Sequence, residues 1–440
     1  ALAGMPDFFR KSITQNRKSL WIGSVIKFVQ VTHRLQGFRL IFRRFEAVDF
    51  LRLNAFSLVL FCFGGSVYTP LCRKCPPEFG CISQTGGCAM QNDETQSFLA
   101  DETGQPSNAW LNDQALLLFD FFGPAALNPK GGFWALGRTG DPLRPSFAAQ
   151  EVQPLHNATR FVHCFSLAHR FGFAGAERMI DQGLEFILKQ HRDAQHGGYY
   201  WAVSNDGVID PAKQAYGHAF VLLAAAAAKE VMHPLADRLL DDIVEVIEQR
   251  FWEPERGASR EEFSADWQAL STYRGQNSNM HLTEALIAAF AVTKDTMFLQ
   301  KAEEIAYLII DRHARSAQWR VPEHFDGNWE VDLEYSGDPV FRPAGTTPGH
   351  ALEWSRLLIE LYQAGEKRHS WLVEAAEQLF LNACQTGWCR DKGGFYYTLD
   401  WQNMPLQRKC LWWPCAEGIA AAATLQQVSD RVEFAHWYRR

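Results

Sequence analysis

From about residue 105 onwards, apolar residues recur at the three- and four-residue spacing of helices, and these stretches alternate with short aromatic segments, most of which begin with glycine. The aromatic segments lie at 131–134, 197–201, 323–325 and 393–397. A weaker copy at 251–254 divides the longest interval, so the repeat is about 65 residues long. That length has room for two helices and a short hairpin-like loop, which predicts a helical array.

The second helix of each predicted pair has a polar or aromatic beginning and an almost wholly apolar remainder. These helices begin near Arg160, Tyr216, His281, His350 and Glu417, at successive spacings of 56, 65, 69 and 67 residues. The stretch 220–228 is apolar throughout and rich in alanine, which predicts tight packing on all sides. We therefore expect these helices to form the inner wall of a closed ring, with more charged helices such as 234–250 outside.

If every inner helix starts at the same end of the ring, the polar groups near the five starts converge on one cavity. A cavity with aromatic rings and with histidine, glutamate, arginine and asparagine side chains suits a sugar, because the rings pack on its faces and the polar groups bond its hydroxyls. The expected ligand is a monosaccharide.

The segment 346–354 carries the clearest chemistry. Thr347 is suited to cap a helix, Pro348 suits the first helical position, and His350 then falls in the first turn. Glu353, three residues further on, shares the face of His350. A histidine beside a carboxylate at the mouth of a cavity is a candidate proton-transfer site.

A second segment repeats this layout. In 277–284 a capping residue, Asn277, is followed by His281 in the predicted first turn and by Glu284 three residues later. The alternative is that each histidine only bonds a nearby carbonyl at a helix start. No metal is expected, because no third cluster of ligands is evident and the carboxylate-bridged bundle motif runs from glutamate to histidine, not the reverse.

Charge divides the chain in two. Residues 1–89 hold 12 basic and 4 acidic residues, whereas 90–440 hold 31 basic and 46 acidic residues. We expect 1–89 to be a basic, cysteine-containing leader outside the fold, with Met90 resembling a natural start, and 90–440 to be the functional domain. The acidic domain argues against nucleic acid as a partner.

No membrane anchor or export signal is predicted. The apolar run 53–65 is too short to span a bilayer and lies too deep in the chain for a secretory signal. A Cys72-x-x-Cys75 pair is followed by Cys81 and Cys88, but nothing completes a zinc pattern. The cysteines of the domain are scattered through apolar surroundings, which is typical of reduced thiols in a cytoplasmic protein.

Five motifs make the chain recognisable. They are Lys213-Gln214-Ala215-Tyr216-Gly217-His218, Tyr273-Arg274-Gly275-Gln276-Asn277-Ser278-Asn279-Met280-His281, Thr347-Pro348-Gly349-His350, Glu353-Trp354 and Trp413-Pro414-x-x-Glu417. With them, residues from about 105 to 430 resemble the N-acylglucosamine 2-epimerase superfamily, most closely its branch of mannose and sulfoquinovose isomerases. The resemblance implies an all-α (α/α)6 barrel and an enzyme that needs no cofactor.

The resemblance also implies roles for individual residues. His350 would be one of two catalytic histidines that move a proton between C1 and C2 of an open-chain sugar through an enediolate. His281 would contact the ring oxygen or the C1 hydroxyl and help to open the ring. Arg160 would hold hydroxyls and the developing enediolate oxygens. The remaining substrate-binding candidates are Tyr216, Asn277, Glu353, Trp413 and Glu417.

Each of these candidates has a structural alternative. Arg160 could pair with a surface carboxylate, and Tyr216 and Trp413 could be core aromatics. Asn277 could be a turn residue, and Glu417 a carboxylate that only serves a helix start.

One departure from the family pattern concerns the second catalytic histidine, which the family carries on its last inner helix. At the observed spacing that helix would begin near position 480, beyond Arg440. His436 is the one histidine after Glu417, but it falls where an outer helix should run. The sequence thus predicts five inner helices and a barrel without its final one. Such an open barrel would expose apolar flanks, which leaves homo-oligomer formation open.

Three functions remain open at this point. The first is aldose–ketose isomerisation of the mannose–fructose type or, as its alternative, 2-epimerisation of the N-acylglucosamine type. The second is a barrel that binds sugar without turnover, because the second histidine is missing. The third is a glycoside hydrolase, for which Glu353 and Glu417 would be the two carboxylates. The segments 279–281 and 353–354 favour isomerisation, while the identity of the sugar stays undetermined.

Overall fold

The computed structural model describes residues 107–137, 140–143 and 151–440. The predicted leader, 1–89, and its cysteines lie outside this part of the chain, so its exclusion from the fold stays a prediction.

The described chain is built from helices that alternate between two layers. In chain order they are α1 Asn108–Ala126, α2 Leu155–Arg170, α3 Ala176–Phe186, α4 Ala215–Glu230, α5 Ala236–Val246, α6 Gln276–Thr293, α7 Thr296–Ala306, α8 Pro348–Ala364, α9 Trp371–Gly387, α10 Trp413–Leu425 and α11 Val432–Tyr438. Helices α3, α5 and α7 continue as wider π-helical turns over Ile187–His191, Ile247–Phe251 and Tyr307–Ala314.

The even-numbered helices are the inner layer. Helices α2, α4, α6, α8 and α10 contact one another in chain order, and each packs on the odd-numbered helix that follows it. In α4 every residue from Gly217 to Ala228 is buried, and the last part of that run, 224–228, consists of alanine. Small side chains let neighbouring helices approach closely on all sides. The five inner helices of 151–440 are therefore the number that the repeat spacing predicts.

The odd-numbered helices are amphipathic and form the outer layer. In α5, Leu239, Leu240 and Ile243 are buried while the charged face lies in solvent. This is the arrangement predicted for 234–250. No helix in the described part of the chain is both long enough and apolar enough to cross a bilayer.

Short strands connect the layers and set the starts of the inner helices. They are β1 Gln153–Pro154, β2 Ala202–Ser204, β3 Gly207–Asp210, β4 Lys213–Gln214, β5 Trp252–Glu253, β6 Ala258–Ser259, β7 Glu262–Phe263, β8 Arg274–Gly275, β9 His324–Phe325, β10 Trp388–Cys389, β11 Gly394–Leu399 and β12 Pro405–Cys410. They pair, antiparallel, as β1–β2–β3, β4–β7, β5–β6, β8–β9 and β10–β11–β12. Strands β1, β4 and β8 run directly into α2, α4 and α6.

One strand pairing positions a residue for the site. In β8–β9, Gly275 is opposite His324, and the Gln276 amide donates to the Glu323 carbonyl at 3.1 Å. Glu323 is thereby held at the start of α6.

Three inner helices begin earlier than predicted, and one of them is α10, which starts at Trp413 and not near Glu417. Helix α2 starts at Leu155 and α6 at Gln276, directly after the strands β1 and β8. Arg160 and His281 therefore lie in the second turn of their helices. The sequence reasoning placed both starts at the first conspicuous polar residue, but the strands end several residues before it.

Candidate active site

Equivalent positions on the inner helices meet at one level of the cavity. Arg160, Phe220, His281 and Glu353 are each the sixth residue of their helix. The Arg160 guanidinium lies 4.3 Å from the Phe220 ring centre, and the Phe220 and His281 rings are 4.7 Å apart. His281 Nδ1 lies 3.5 Å from Glu353 Oε1. The inner helices thus start at the same end of the ring, as predicted.

His350 is held by a buried carboxylate. Its Nδ1 lies 2.9 Å from both carboxylate oxygens of Glu323. The Gln276 side-chain nitrogen lies 2.9 Å from the same Nδ1 and donates to Glu323 Oε2 at 2.7 Å. Since the bond to a carboxylate is the stronger of the two, Nδ1 carries the proton, and Nε2 is left with the lone pair of a base.

Glu323 is ionised in this setting. Burial acts to raise its pKa, but the electrostatic interaction and hydrogen bond with His350, with the contribution of Gln276, outweigh burial and leave the pKa below its usual value. One Glu323 oxygen also accepts from the Thr347 backbone amide at 3.2 Å. Thr347 is the N-cap residue of α8, as predicted, but the capping oxygen comes from Glu323. One carboxylate therefore fixes both the helix start and the histidine.

The carboxylate partner of His350 was not found from the sequence. Glu353 was the expected neighbour, whereas the structure joins His350 to Glu323 and directs Glu353 towards His281. Glu323 lay within the aromatic segment 323–325, which was interpreted as a loop. The only signal in the sequence is that this carboxylate directly precedes the two residues that form β9. Nothing in the sequence shows that β9 pairs with β8.

His281 lies deeper in the cavity. Its Nδ1 is 3.4 Å from Glu284 Oε2, and its ring packs edge-on against Tyr216 at 5.2 Å. Burial lowers the pKa of His281 to about 4, even though Glu284 acts in the opposite direction. The ring is neutral near pH 7, which suits hydrogen bonding to a sugar oxygen.

Below this level lies a buried charge cluster around Arg356. The Arg356 guanidinium donates to Glu284 at 3.2 Å, to Glu417 at 3.2 Å and to Glu360 at 3.0 Å. Glu417 is thus a partner of Arg356, and its predicted contact with substrate stays a prediction. Arg356 is the residue of this cluster that sequence reasoning missed, because an arginine in the middle of an apolar helix carries no motif.

Glu353 is the uncharged carboxyl of the cavity. Burial raises its pKa well above the usual value, and repulsion from Glu417 and Glu284 adds to the effect of burial. Neither of its carboxyl oxygens has a hydrogen-bond partner among the described residues. As a neutral acid, Glu353 can donate a hydrogen bond to a ligand oxygen.

The other predicted residues also lie around the cavity. Arg160 is buried and donates to the Tyr216 hydroxyl at 2.8 Å, so the surface-pair alternative for Arg160 is wrong. The side-chain oxygen Oδ1 of Asn277 is buried without a hydrogen-bond partner among the described residues. The Trp413 ring lies 5.4 Å from the His350 ring. This contact depends on Gly349, where a Cβ would come within 2.3 Å of the Trp413 ring.

A further residue at the cavity, His156, was missed. It is the second residue of α2, equivalent to Tyr216 in α4 and Asn277 in α6. Its ring stacks on Trp201 at 5.1 Å, and Phe341 approaches it at 6.1 Å from the loop before α8. Burial, followed by the charge of Arg160, lowers the pKa of His156 well below its usual value. It was overlooked because the predicted start of α2 lay beyond it.

The fold and the site together define a mainly helical barrel in which a carboxylate-supported histidine lies near the starts of the inner helices. The sequence profile of the N-acylglucosamine 2-epimerase (GlcNAc 2-epimerase) family matches residues 131–440, and the chain belongs to this family. The resemblance predicted from the motifs is confirmed, as is the (α/α)6-barrel fold class.

Individual relatives support the same grouping. The D-mannose isomerase of Thermobifida fusca is 43% identical over 338 residues, which are 75% of this chain and 81% of the relative. The D-mannose isomerase of Pseudomonas cannabina pv. alisalensis is 45% identical over 292 residues, or 64% of this chain and 70% of the relative. A crystal structure of D-mannose isomerase matches with a TM-score of 0.68 at 30% identity, covering 73% of this chain and 81% of that one.

Proposed function

We propose that this protein is an aldose–ketose isomerase that interconverts an aldose of the mannose type and the corresponding ketose. The observation that carries the proposal is the Glu323–His350 pair, in which the carboxylate bonds Nδ1 and leaves Nε2 as the candidate base. The similarity to D-mannose isomerases at 43% and 45% identity supports the mannose type of substrate.

The reaction begins when His281 and Glu353 bond the ring oxygen and the C1 hydroxyl and favour the open chain. His350 Nε2 then removes the proton from C2, and the electrons of that bond form the C1–C2 double bond while charge moves to the C1 oxygen. The Arg160 guanidinium stabilises that charge as it develops. Glu353 gives its proton to the C1 oxygen and takes the proton of the C2 hydroxyl, and His350 returns its proton to C1.

The arrangement favours isomerisation over epimerisation. A shift of the proton from C2 to C1 on one face of the enediolate needs one base, and His350 with Glu323 supplies it. Inversion at C2 needs proton donors on both faces of the same carbon. The carbonyl already acidifies the neighbouring C–H bond, so a positioned base of matched pKa is sufficient for the chemistry.

The test is incubation of the full chain with D-mannose in deuterated water, followed by NMR of the sugars. We expect fructose to form, and His350→Asn to lower kcat by about 10²- to 10⁴-fold, the usual contribution of a general base. The matched control is His436→Asn, since His436 is exposed on α11. Deuterium at C2 of the aldose without ketose would instead identify an epimerase, and the absence of both exchange and product would leave a sugar-binding protein.

A further inference from the structure

Three side chains on the cavity floor surround a small common space. His281 Nδ1 lies 3.4 Å from Glu284 Oε2 and 3.5 Å from Glu353 Oε1, and all three candidate ligand atoms lie within 4.8 Å of one another. All three residues are buried. These separations exceed those of good hydrogen bonds between nitrogen and oxygen, which are about 2.7–3.2 Å.

The separations instead resemble the spacing between ligand atoms around a tetrahedral ion. Zinc binds histidine nitrogen and carboxylate oxygen at about 2.0–2.2 Å, so tetrahedral geometry separates neighbouring ligand atoms by about 3.4 Å. Two of the three pairs meet that spacing, and the atoms of the third pair lie within 4.8 Å of each other. A histidine with two carboxylates is also a donor set that zinc uses in proteins.

Orphaned polar groups give independent support. His163, which is 7% exposed, has no hydrogen-bond partner for either ring nitrogen among the described residues, and Glu284 lies close enough to act on its pKa. Both carboxyl oxygens of Glu353 are likewise unpartnered there. Buried polar groups without partners are energetically unfavourable, so these groups around Glu284 indicate a place for a polar ligand.

The charges at the site decide how strongly an ion would be held. His281 is neutral and can offer a lone pair, and Glu284 is ionised because His281 and Arg356 outweigh the effect of its burial. The positive charges of Arg160 and Arg356 disfavour binding of a divalent cation, whereas the nearby Glu417 favours it. Binding is therefore expected to be moderate in strength.

We propose that His281, Glu284 and Glu353 form a binding site for a divalent transition-metal ion such as Zn²⁺, and that the bound ion inhibits the enzyme. Inhibition follows because the ion occupies the side chains that the open-chain sugar needs. The binding site stands independently of the proposed isomerase activity, while its inhibitory effect rests on that activity.

The experiment is calorimetric titration of Zn²⁺ into the full chain after its accessible thiols have been blocked with N-ethylmaleimide. We expect a single saturable site of moderate affinity for Zn²⁺ in the unaltered chain. Glu284→Gln and His281→Asn should each raise the Kd of that site at least about tenfold. Glu360→Gln is the matched control, because Glu360 shares Arg356 but lies outside the three ligands.

Several outcomes would overturn the inference. These are an unchanged Kd in both ligand variants or an equal loss of affinity in Glu360→Gln. Circular dichroism establishes that each variant is folded. If neither ligand variant folds, the visible spectrum of Co²⁺ bound to the unaltered chain decides, because only four-coordinate Co²⁺ absorbs intensely. If the chain binds Zn²⁺ at this site but has no isomerase activity, only the proposed function is contradicted. If the chain is active but lacks the site, only this inference is contradicted.

Discussion

At the scale of single residues, the central feature is the buried carboxylate that orients a histidine. The 2.9 Å contacts between Glu323 and His350 Nδ1 fix the tautomer and leave Nε2 with the lone pair that the proposed proton transfer needs. The same logic operates wherever a carboxylate holds an imidazole that acts as a base.

Replacement of this carboxylate tests its role. In Glu323→Gln the amide can donate to Nδ1 and so favours the wrong tautomer of His350. We expect kcat to fall by about 10²- to 10⁴-fold with little change in KM, measured as fructose formed from D-mannose.

The control for that variant is Glu433→Gln, a change of the same kind on the exposed end of α11. Because a tautomer effect acts through the base, the pH profile of kcat should also change in Glu323→Gln. An unaltered kcat and an unaltered profile would exclude Glu323 as a positioning residue.

The second residue-scale feature is the arginine that neutralises the cavity floor. Arg356 bonds three carboxylates, of which Glu284 and Glu417 are fully enclosed by protein. In Arg356→Met these carboxylates lose their counter-charge. We expect the free energy of unfolding, measured by urea denaturation, to fall by about 3–5 kcal/mol.

An exposed arginine provides the comparison. Arg431 pairs with Glu377 and Glu433 at the surface. Arg431→Met should lower the free energy of unfolding by only about 0–1 kcal/mol. Equal losses in the two variants would mean that burial does not set the role of Arg356.

At the scale of elements, the site depends on how neighbouring helix starts fit together. Trp413, the first residue of α10, lies over Gly349 of α8, and its ring comes close to His350. The motifs at these two starts therefore form one packed unit, although 64 positions separate Gly349 from Trp413.

A methyl group at this contact should disrupt it. The Cβ of Gly349→Ala would meet the Trp413 ring at 2.3 Å, so the ring or the start of α8 must move. We expect a loss of about 1–3 kcal/mol in the free energy of unfolding, followed by urea denaturation.

The matched control is Gly394→Ala in β11, where the nearest atom lies at 3.4 Å and an added methyl fits. If both alanine variants were equally stable, the contact between α8 and α10 would not constrain residue 349.

At the scale of the whole molecule, the barrel buries an unusual number of neutral histidines. Burial is the main cause that lowers the pKa of His163 and His191 to about 4 and that of His218 to about 3, as it lowers the pKa of His281 to about 4. His156 behaves in the same way.

These histidines predict sensitivity to acid. Between about pH 6.5 and 4 the unfolded chain protonates them while the folded chain does not, so stability falls as the pH falls through this window. Each contributes a slope of about 1.4 kcal/mol per pH unit there. Glu353 and Glu417, whose pKa values are raised by burial, act with the opposite sign and reduce the net slope.

We expect the Tm, measured by circular dichroism, to decrease steadily from pH 7 to pH 5. His191→Gln should flatten this dependence, because it removes one of the protonating groups. A Tm that rises on acidification would show that the raised carboxylates dominate.

Much of this arrangement follows from the sequence. Periodicity and the repeat of about 65 residues predict paired helices in two layers, because a buried inner helix must be apolar all round and an outer helix must be amphipathic. The sequence also predicts that His281, His350, Arg160 and Glu353 face the cavity, because side chains at similar positions near the starts of repeated helices point in the same direction.

Only the tertiary structure decides which of these groups are partners. Glu323 reaches His350 because β9 pairs with β8, and Arg356 joins Glu284 to Glu417 across three inner helices. Hydrogen bonds and charge interactions depend on distances between segments that are far apart in the chain, and periodicity carries no information about those distances. The sequence determines which side chains face the cavity, and the packing of the helices determines which of them is held as a base, which stays a neutral acid and which balance each other's charge.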